Sequence, residues 1–142
     1  MSEDPERIPR EREESLCPCK SKLKYAECCM PFHYGRANPE TAEQLMRSRY
    51  SAYFFRRVDY LVQTTHPRTR SKTLKEELES TIHEVNWSFL RIVEVSKGTS
   101  EDKTGKVEFI ADYYVDGEEH QLQERSRFRR YKGLWKYLDG KA

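Results

Sequence analysis

Residues 107–117 read VEFIADYYVDG. Val107, Phe109, Ala111, Tyr113 and Val115 recur at every second position, the period of a strand that buries one face. Asp116-Gly117 follows, and this dipeptide accepts the left-handed conformations of a tight hairpin turn. The strand therefore turns back, and EEHQLQERSRFRRY (118–131) is its antiparallel partner. The pattern continues both ways. WSFLRIVEVSKG (87–98) is rich in β-branched and aromatic residues and ends at Gly98; TSEDKTG (99–105) is a turn; LWKYLDG (134–140) is a last strand ending at Gly140. Four strands in sequence order make an antiparallel meander.

Upstream of Trp87 the period is helical. In NPETAEQLMRSRYSAYFFRR (38–57), Ala42, Leu45, Met46, Tyr50, Tyr53 and Phe54 share one face. Asn38 is placed to cap this helix, with Pro39 at its first position, and Thr41 with Gln44 forms a second possible capping pair. DYLVQTTHP (59–67) predicts a short helix that ends near His66, because Pro67 disfavours helix before it. TLKEELESTIHE (73–84) predicts another, with Leu74, Leu78 and Ile82 four residues apart. Helices first and an antiparallel meander after them predict an α+β fold, with helices packed on one face of a curved sheet.

The chain has 142 residues, enough for one domain with an appendage. Charged residues make up 35% and the net charge is only +2, so global charge gives no argument for a nucleic-acid partner. There is no apolar run of ~18 residues to span a membrane. MSEDPERIPREREES (1–15) lacks the apolar stretch of a signal peptide and is expected to be a disordered tail, with the cytoplasm as the default compartment.

Every cysteine of the chain falls within CPCKSKLKYAECC (17–29). The spacing C-x-C-x8-C-C brings two close thiol pairs onto one loop, which suits a tetrahedral metal. A Cys28–Cys29 disulfide would be strained, and a reducing compartment disfavours it. Redox chemistry normally uses C-x-x-C beside a strand and helix, a context missing here. The expected ligands are Cys17, Cys19, Cys28 and Cys29, holding a structural Zn2+. Four thiolates on Zn2+ carry about −2, which Lys20, Lys22 and Lys24 in the loop can offset. His33 is a spare ligand outside a filled shell.

These residues carry a resemblance. CPC-x-S-x3-Y-x2-CC resembles the SEC-C zinc motif, known from the C-terminus of the preprotein translocase ATPase, with its metal positions at Cys17, Cys19, Cys28 and Cys29. That motif usually has glycine where Lys20 and Lys22 flank Ser21. CCMPFHYGRANPETAEQLMRSRYSAYFFRRVDYLVQTTHP (28–67) and LQERSRFRRYKGLWKYLDG (122–140) are similar to the YchJ-like family of uncharacterised bacterial proteins. The resemblance implies an NTF2-like cone, a bent antiparallel sheet wrapped over helices, and implies no activity. The expected organisation is a tail (1–15), a zinc knuckle (16–35) and an NTF2-like domain (36–142).

Cones of this kind often enclose a pocket, so polar residues on apolar faces are the candidates for chemistry. Glu124 shares its strand face with Leu122, Ser126 and Phe128, and Arg49 interrupts the apolar stripe of its helix. A buried carboxylate and guanidinium can satisfy each other. Two readings stay open: an internal Arg49–Glu124 ion pair that fixes helix against sheet, or a ligand or catalytic pocket with Glu124 or His66 as general base. His66 can equally cap the helix end it follows. Arg125, Arg127 and Arg129 share a strand face, but Glu108 and Asp112 on the neighbouring strand balance them, so nucleic-acid binding is the weaker expectation. The expected partners are a protein at the knuckle, where the translocase motif docks a chaperone and touches ribosomes, and a small ligand in the cone.

Overall fold

In the computed structural model, residues 10–142 are described. Five helices come first: α1 (Arg10–Glu13), α2 (Met30–His33), α3 (Ala42–Phe54), α4 (Val58–Gln63) and α5 (Leu74–Thr81). Four strands follow: β1 (Asn86–Lys97), β2 (Thr104–Val115), β3 (Glu118–Tyr131) and β4 (Leu134–Lys141). They pair antiparallel in the order β1-β2-β3-β4, the meander expected from the hairpin signal. The tail expected over 1–15 lies outside the described residues up to residue 9. Beyond that, α1 is one helical turn, and the Ser15 hydroxyl donates to the Glu11 carbonyl.

Helix α3 is shorter at both ends than its sequence pattern. Thr41 caps it, not Asn38: the Thr41 hydroxyl accepts the Gln44 N–H at 3.1 Å, and the Gln44 side chain accepts the Glu40 N–H at 2.8 Å. The chain before Thr41 is tied to the sheet instead, since the Trp135 indole donates to the Glu40 carbonyl at 2.9 Å. At the other end Arg56 adopts φ 59°. The N–H of Arg56 then bonds the Tyr53 carbonyl and that of Arg57 the Ala52 carbonyl, the Schellman arrangement usually built on glycine.

The sheet is bent by irregular registers between Trp87 and Phe89, between Ile92 and Glu94, and between Arg127 and Phe128. A bulge shifts the alternation by one residue and deepens the twist. On β1 the inward side passes from Trp87 to Leu90 and Ile92, leaving Phe89 and Val93 exposed. On β2 and β3, Val107, Phe109, Ala111, Ser126 and Phe128 are buried on the concave side, as their alternation predicts. The β4 edge is covered by the segment after α4, where Thr65 bridges Tyr137 in parallel.

Two clusters fill the interior. The larger unites Leu45, Met46 and Tyr50 of α3 with Leu90, Val107, Phe109 and Phe128 of the sheet, and extends into Cys17, Cys19, Tyr25 and Cys29. The smaller packs Ala52 against Val58, Tyr60, Leu61 and Ile82. The cysteine loop is thus part of the main core, which its own few apolar residues could not form.

Candidate metal centre and cone cavity

The cysteine loop is a narrow ribbon. Leu16 bridges Lys24, and the Cys17 N–H donates to the Leu23 carbonyl at 2.8 Å. Its tip turns through Lys20 and Lys22, at φ 66° and 74°. These are left-handed positions, which explains why the resembling motif places glycine there. Cys28 and Cys29 follow a 3-10 turn, Tyr25–Glu27, at the entry to α2.

The ribbon and turn bring the four Sγ atoms within 4.8 Å of one another. None is joined to another in a disulfide. Cys19 and Cys28 are 3.6 Å apart and Cys28 and Cys29 3.8 Å. Tetrahedral thiolates ~2.3 Å from a central ion would stand about 3.8 Å apart, so the donor set fits a four-coordinate metal. Hydrogen bonds from Cys17, Cys28 and Cys29 push the Cys19 thiol well below its ordinary range, while hydrogen bonds within the cluster and burial push the Cys17 and Cys29 thiols up.

The surroundings differ from the sequence reading in two ways. The Lys20 ammonium lies over the Phe89 ring, and Lys24 pairs with Glu14 at 3.1 Å. The cation brought to the site is Arg47 of α3, whose Nη1 donates to the Cys19 carbonyl at 2.6 Å while Nε holds Glu43. His33 is no spare ligand: its Nε2–H donates to the Ser48 carbonyl at 2.8 Å, so Nδ1 is the acceptor for the Tyr25 hydroxyl at 2.6 Å. Burial pushes the imidazole down to about 4.

A cavity of about 230 Å³ separates α3 from the concave sheet face. Its walls are mostly apolar and aromatic, with Met46, Tyr50 and Tyr53 on the helix and Trp87, Phe109, Leu122, Phe128 and Tyr137 on the strands. The polar side chains at its surface include Arg49, Glu124 and Ser126. Burial, and then the Glu124 carboxylate, push the Tyr137 phenol up to about 12, so it stays a neutral donor.

Arg49 and Glu124 face this cavity, but the expected ion pair between them does not form. None of the five ion pairs among the described residues involves either group. Arg49 is held by neutral oxygens instead: Nη1 donates to the Leu61 carbonyl at 2.9 Å and to the hydroxyls of Thr64 at 2.7 Å and Thr65 at 3.3 Å. Its guanidinium lies over the Tyr137 ring, 4.6 Å from the centroid. Glu124 accepts the Ser126 hydroxyl at 2.6 Å and rests against Gly140, where there is no side chain to displace it.

His66 lies outside the cavity. Its Nδ1 accepts the Arg68 N–H at 3.0 Å, its ring meets Tyr131 edge-on, and its own N–H donates to the Tyr137 carbonyl at 2.8 Å. It does not cap α4. The hydroxyls of Thr64 and Thr65 bond back to the Tyr60 and Leu61 carbonyls in that role. On the convex side, Arg125 pairs with Glu108 at 3.1 Å and Arg127 with Asp139 at 2.6 Å, while Asp112 holds Gln121. No helix among the described residues is long and apolar enough to cross a membrane.

Known proteins resemble the chain over both of its parts. A family model described as YchJ, middle NTF2-like domain, matches residues 41–140, and the SEC-C motif matches residues 15–31. A UPF0225 protein of Actinobacillus succinogenes is 42% identical over 88% of this chain and 80% of its own length. A UPF0225 protein of Ralstonia nicotianae is 42% identical over 94% of this chain and 95% of its own. The solution structure of a SEC-C motif containing protein from Rhodopseudomonas palustris superposes with a TM-score of 0.80 at 35% identity, covering 89% of this chain and 97% of that one.

Proposed function

The chain belongs to the UPF0225 family of YchJ-like proteins, and from that premise we propose that it is a small-ligand-binding module stabilised by a structural zinc ion. The observation that carries the reading is the pair of opposite charges at the cavity wall. Each is held only by neutral groups of the protein, and neither neutralises the other. A buried charge without a counter-charge is costly, so such a wall suits a site completed by a bound molecule.

Zinc is the metal best matched to four thiolates in tetrahedral array, and a filled shell leaves no position for substrate. The site's role is then to hold the loop against α3 through Arg47 and through Ser51, whose hydroxyl is 3.3 Å from the Cys17 sulfur. The reading with His66 as general base loses its support, because His66 does not line the cavity and its Nδ1 accepts the Arg68 N–H. The knuckle's outer side exposes Leu16 and Leu23, and this is the face we assign to a protein partner.

Two measurements test the proposal. Elemental analysis of protein purified without chelator should give about one zinc per chain, and well under one would refute the metal assignment. Chemical-shift mapping with a fragment library should place binders at Tyr50, Trp87 and Phe109 around the cavity. Fragments that bind only elsewhere would refute the ligand-binding reading.

A further inference from the structure

Arg49 is 8% exposed, and all of its hydrogen bonds leave from Nη1. Nε and Nη2 make no hydrogen bond among the described residues, and neither is fully buried, since no fully buried side-chain nitrogen or oxygen there lacks a partner; Arg49 itself lines the cavity. One face of the guanidinium is taken by Tyr137, and the Nε–Nη2 edge makes no hydrogen bond among the described residues. The edge of a guanidinium is a fork of parallel N–H donors, the shape that binds a carboxylate through two oxygens. Across the same cavity, Glu124 uses one oxygen, Oε2, to accept from Ser126. Its other oxygen is an acceptor looking for a donor.

The remaining walls are rings and aliphatic groups: Tyr50, Trp87, Phe109 and Leu122. Volume sets the scale. A dry cavity of ~150 Å³ takes up benzene, so 230 Å³ has room for one ring and its substituents.

We infer that the cavity binds a small single-ring organic acid, with its carboxylate on Arg49 and a hydroxyl or amino donor at the opposite end on Glu124. This deepens the ligand-binding reading and rests on it. The ligand supplies the counter-charge that Arg49 lacks, and its ring lies among the aromatic walls. Because the two charged groups of the protein are apart, a molecule carrying only the acid, or only the donor, leaves one of them unsatisfied.

The probes are 4-hydroxybenzoate, its methyl ester, benzoate and phenol, titrated into the intact zinc-loaded chain at about neutral pH, where the benzoate carboxylates are ionised. The readout is the Trp87 indole resonance, told apart from that of Trp135 by a W135F variant. Both 4-hydroxybenzoate's methyl ester and benzoate should bind at least about tenfold more weakly than 4-hydroxybenzoate itself, since truncating one partner of a desolvated charge contact costs this much or more. In R49Q the advantage of the acid over its ester should vanish, and in E124Q the advantage of 4-hydroxybenzoate over benzoate should shrink. The ligand-side comparison holds even if R49Q does not fold. If the ester or benzoate binds as tightly as the hydroxy acid, the ligand class is wrong and the ligand-binding reading survives. If no probe moves the Trp87 resonance, the inferred ligand class falls, and the ligand-binding reading falls with it only if the fragment library also leaves the cavity residues unmoved.

Discussion

The Tyr25 hydroxyl donates to Nδ1 of His33, which passes the bond on from Nε2–H to the Ser48 carbonyl of α3. This relay ties the cysteine loop to the cone with a neutral imidazole. Protonation would put a second donor on the ring, reverse the bond so that the Tyr25 hydroxyl accepts, and leave a charge in a buried site. The folded chain therefore keeps His33 near 4, against an ordinary value of 6.5. As pH falls through that window, the unfolded chain takes up a proton that the folded chain refuses. Stability should drop by up to about 3 kcal/mol between these limits and level off below the lower one. The check is the stability–pH slope of an H33Q variant, which should be flatter there than that of the natural chain. Metal loss in acid affects both proteins, so equal slopes would dismiss the role of His33.

Cys17, Cys19 and Cys29 share one core cluster with Leu45, Val107 and Phe128. Removing the metal should consequently loosen the cone as well as the loop. Structural zinc contributes ~10 kcal/mol or more in small domains, comparable with the whole stability of a chain this size. A chelator should lower Tm in a single transition and erase much of the near-ultraviolet circular dichroism of the buried tyrosines. A cone that melts at an unchanged temperature after chelation would show that the loop is an independent appendage.

Where the sequence was legible, the reason is local. The strand period, the Asp-Gly turn and the helix-then-sheet order each depend on neighbours in the chain, and each reappears in the structure. The crowding of four cysteines was equally plain, and the structure gathers them. What could not be read depends on contacts distant in sequence. Arg49 shares a cavity with Glu124, but Leu61, Thr64 and Thr65 reach Arg49 first. Arg47 meets the cysteine loop across 28 residues. The end of α3 was missed because arginine at position 56 does a glycine's task. The bulges of β1 reverse its faces without any glycine or proline to announce them.

Lys20 and Lys22 are a local exception that can be tested. A non-glycine residue in the left-handed region costs roughly 1–2 kcal/mol, and glycine gives back about 0.5–1 of that as backbone entropy. K20G and K22G should each raise the unfolding free energy by up to about 1 kcal/mol, read from denaturant midpoints at fixed zinc. Lys20 also lies over Phe89, so its substitution should gain less than that of Lys22. A loss of stability in K22G would mean that the loop depends on the lysine itself.

Gly140 pairs with Ser126 across β3 and β4, directly beneath the Glu124 carboxylate. A Cβ at position 140 would overlap Oε2, Cδ and Cγ of Glu124, so most of that side chain would have to leave its place. The strand pairing holds the backbone, and the displaced carboxylate would forfeit the Ser126 hydroxyl. G140A should therefore destabilise the fold by about 1–3 kcal/mol, the usual cost of overpacking a fixed site. In an E124A background the obstacle is gone, and the same substitution should cost little. The double-mutant cycle would then show a coupling of about 1 kcal/mol or more between positions 124 and 140. Additive effects would mean that Glu124 does not rest on Gly140, and the carboxylate's position at the cavity wall would lose its support.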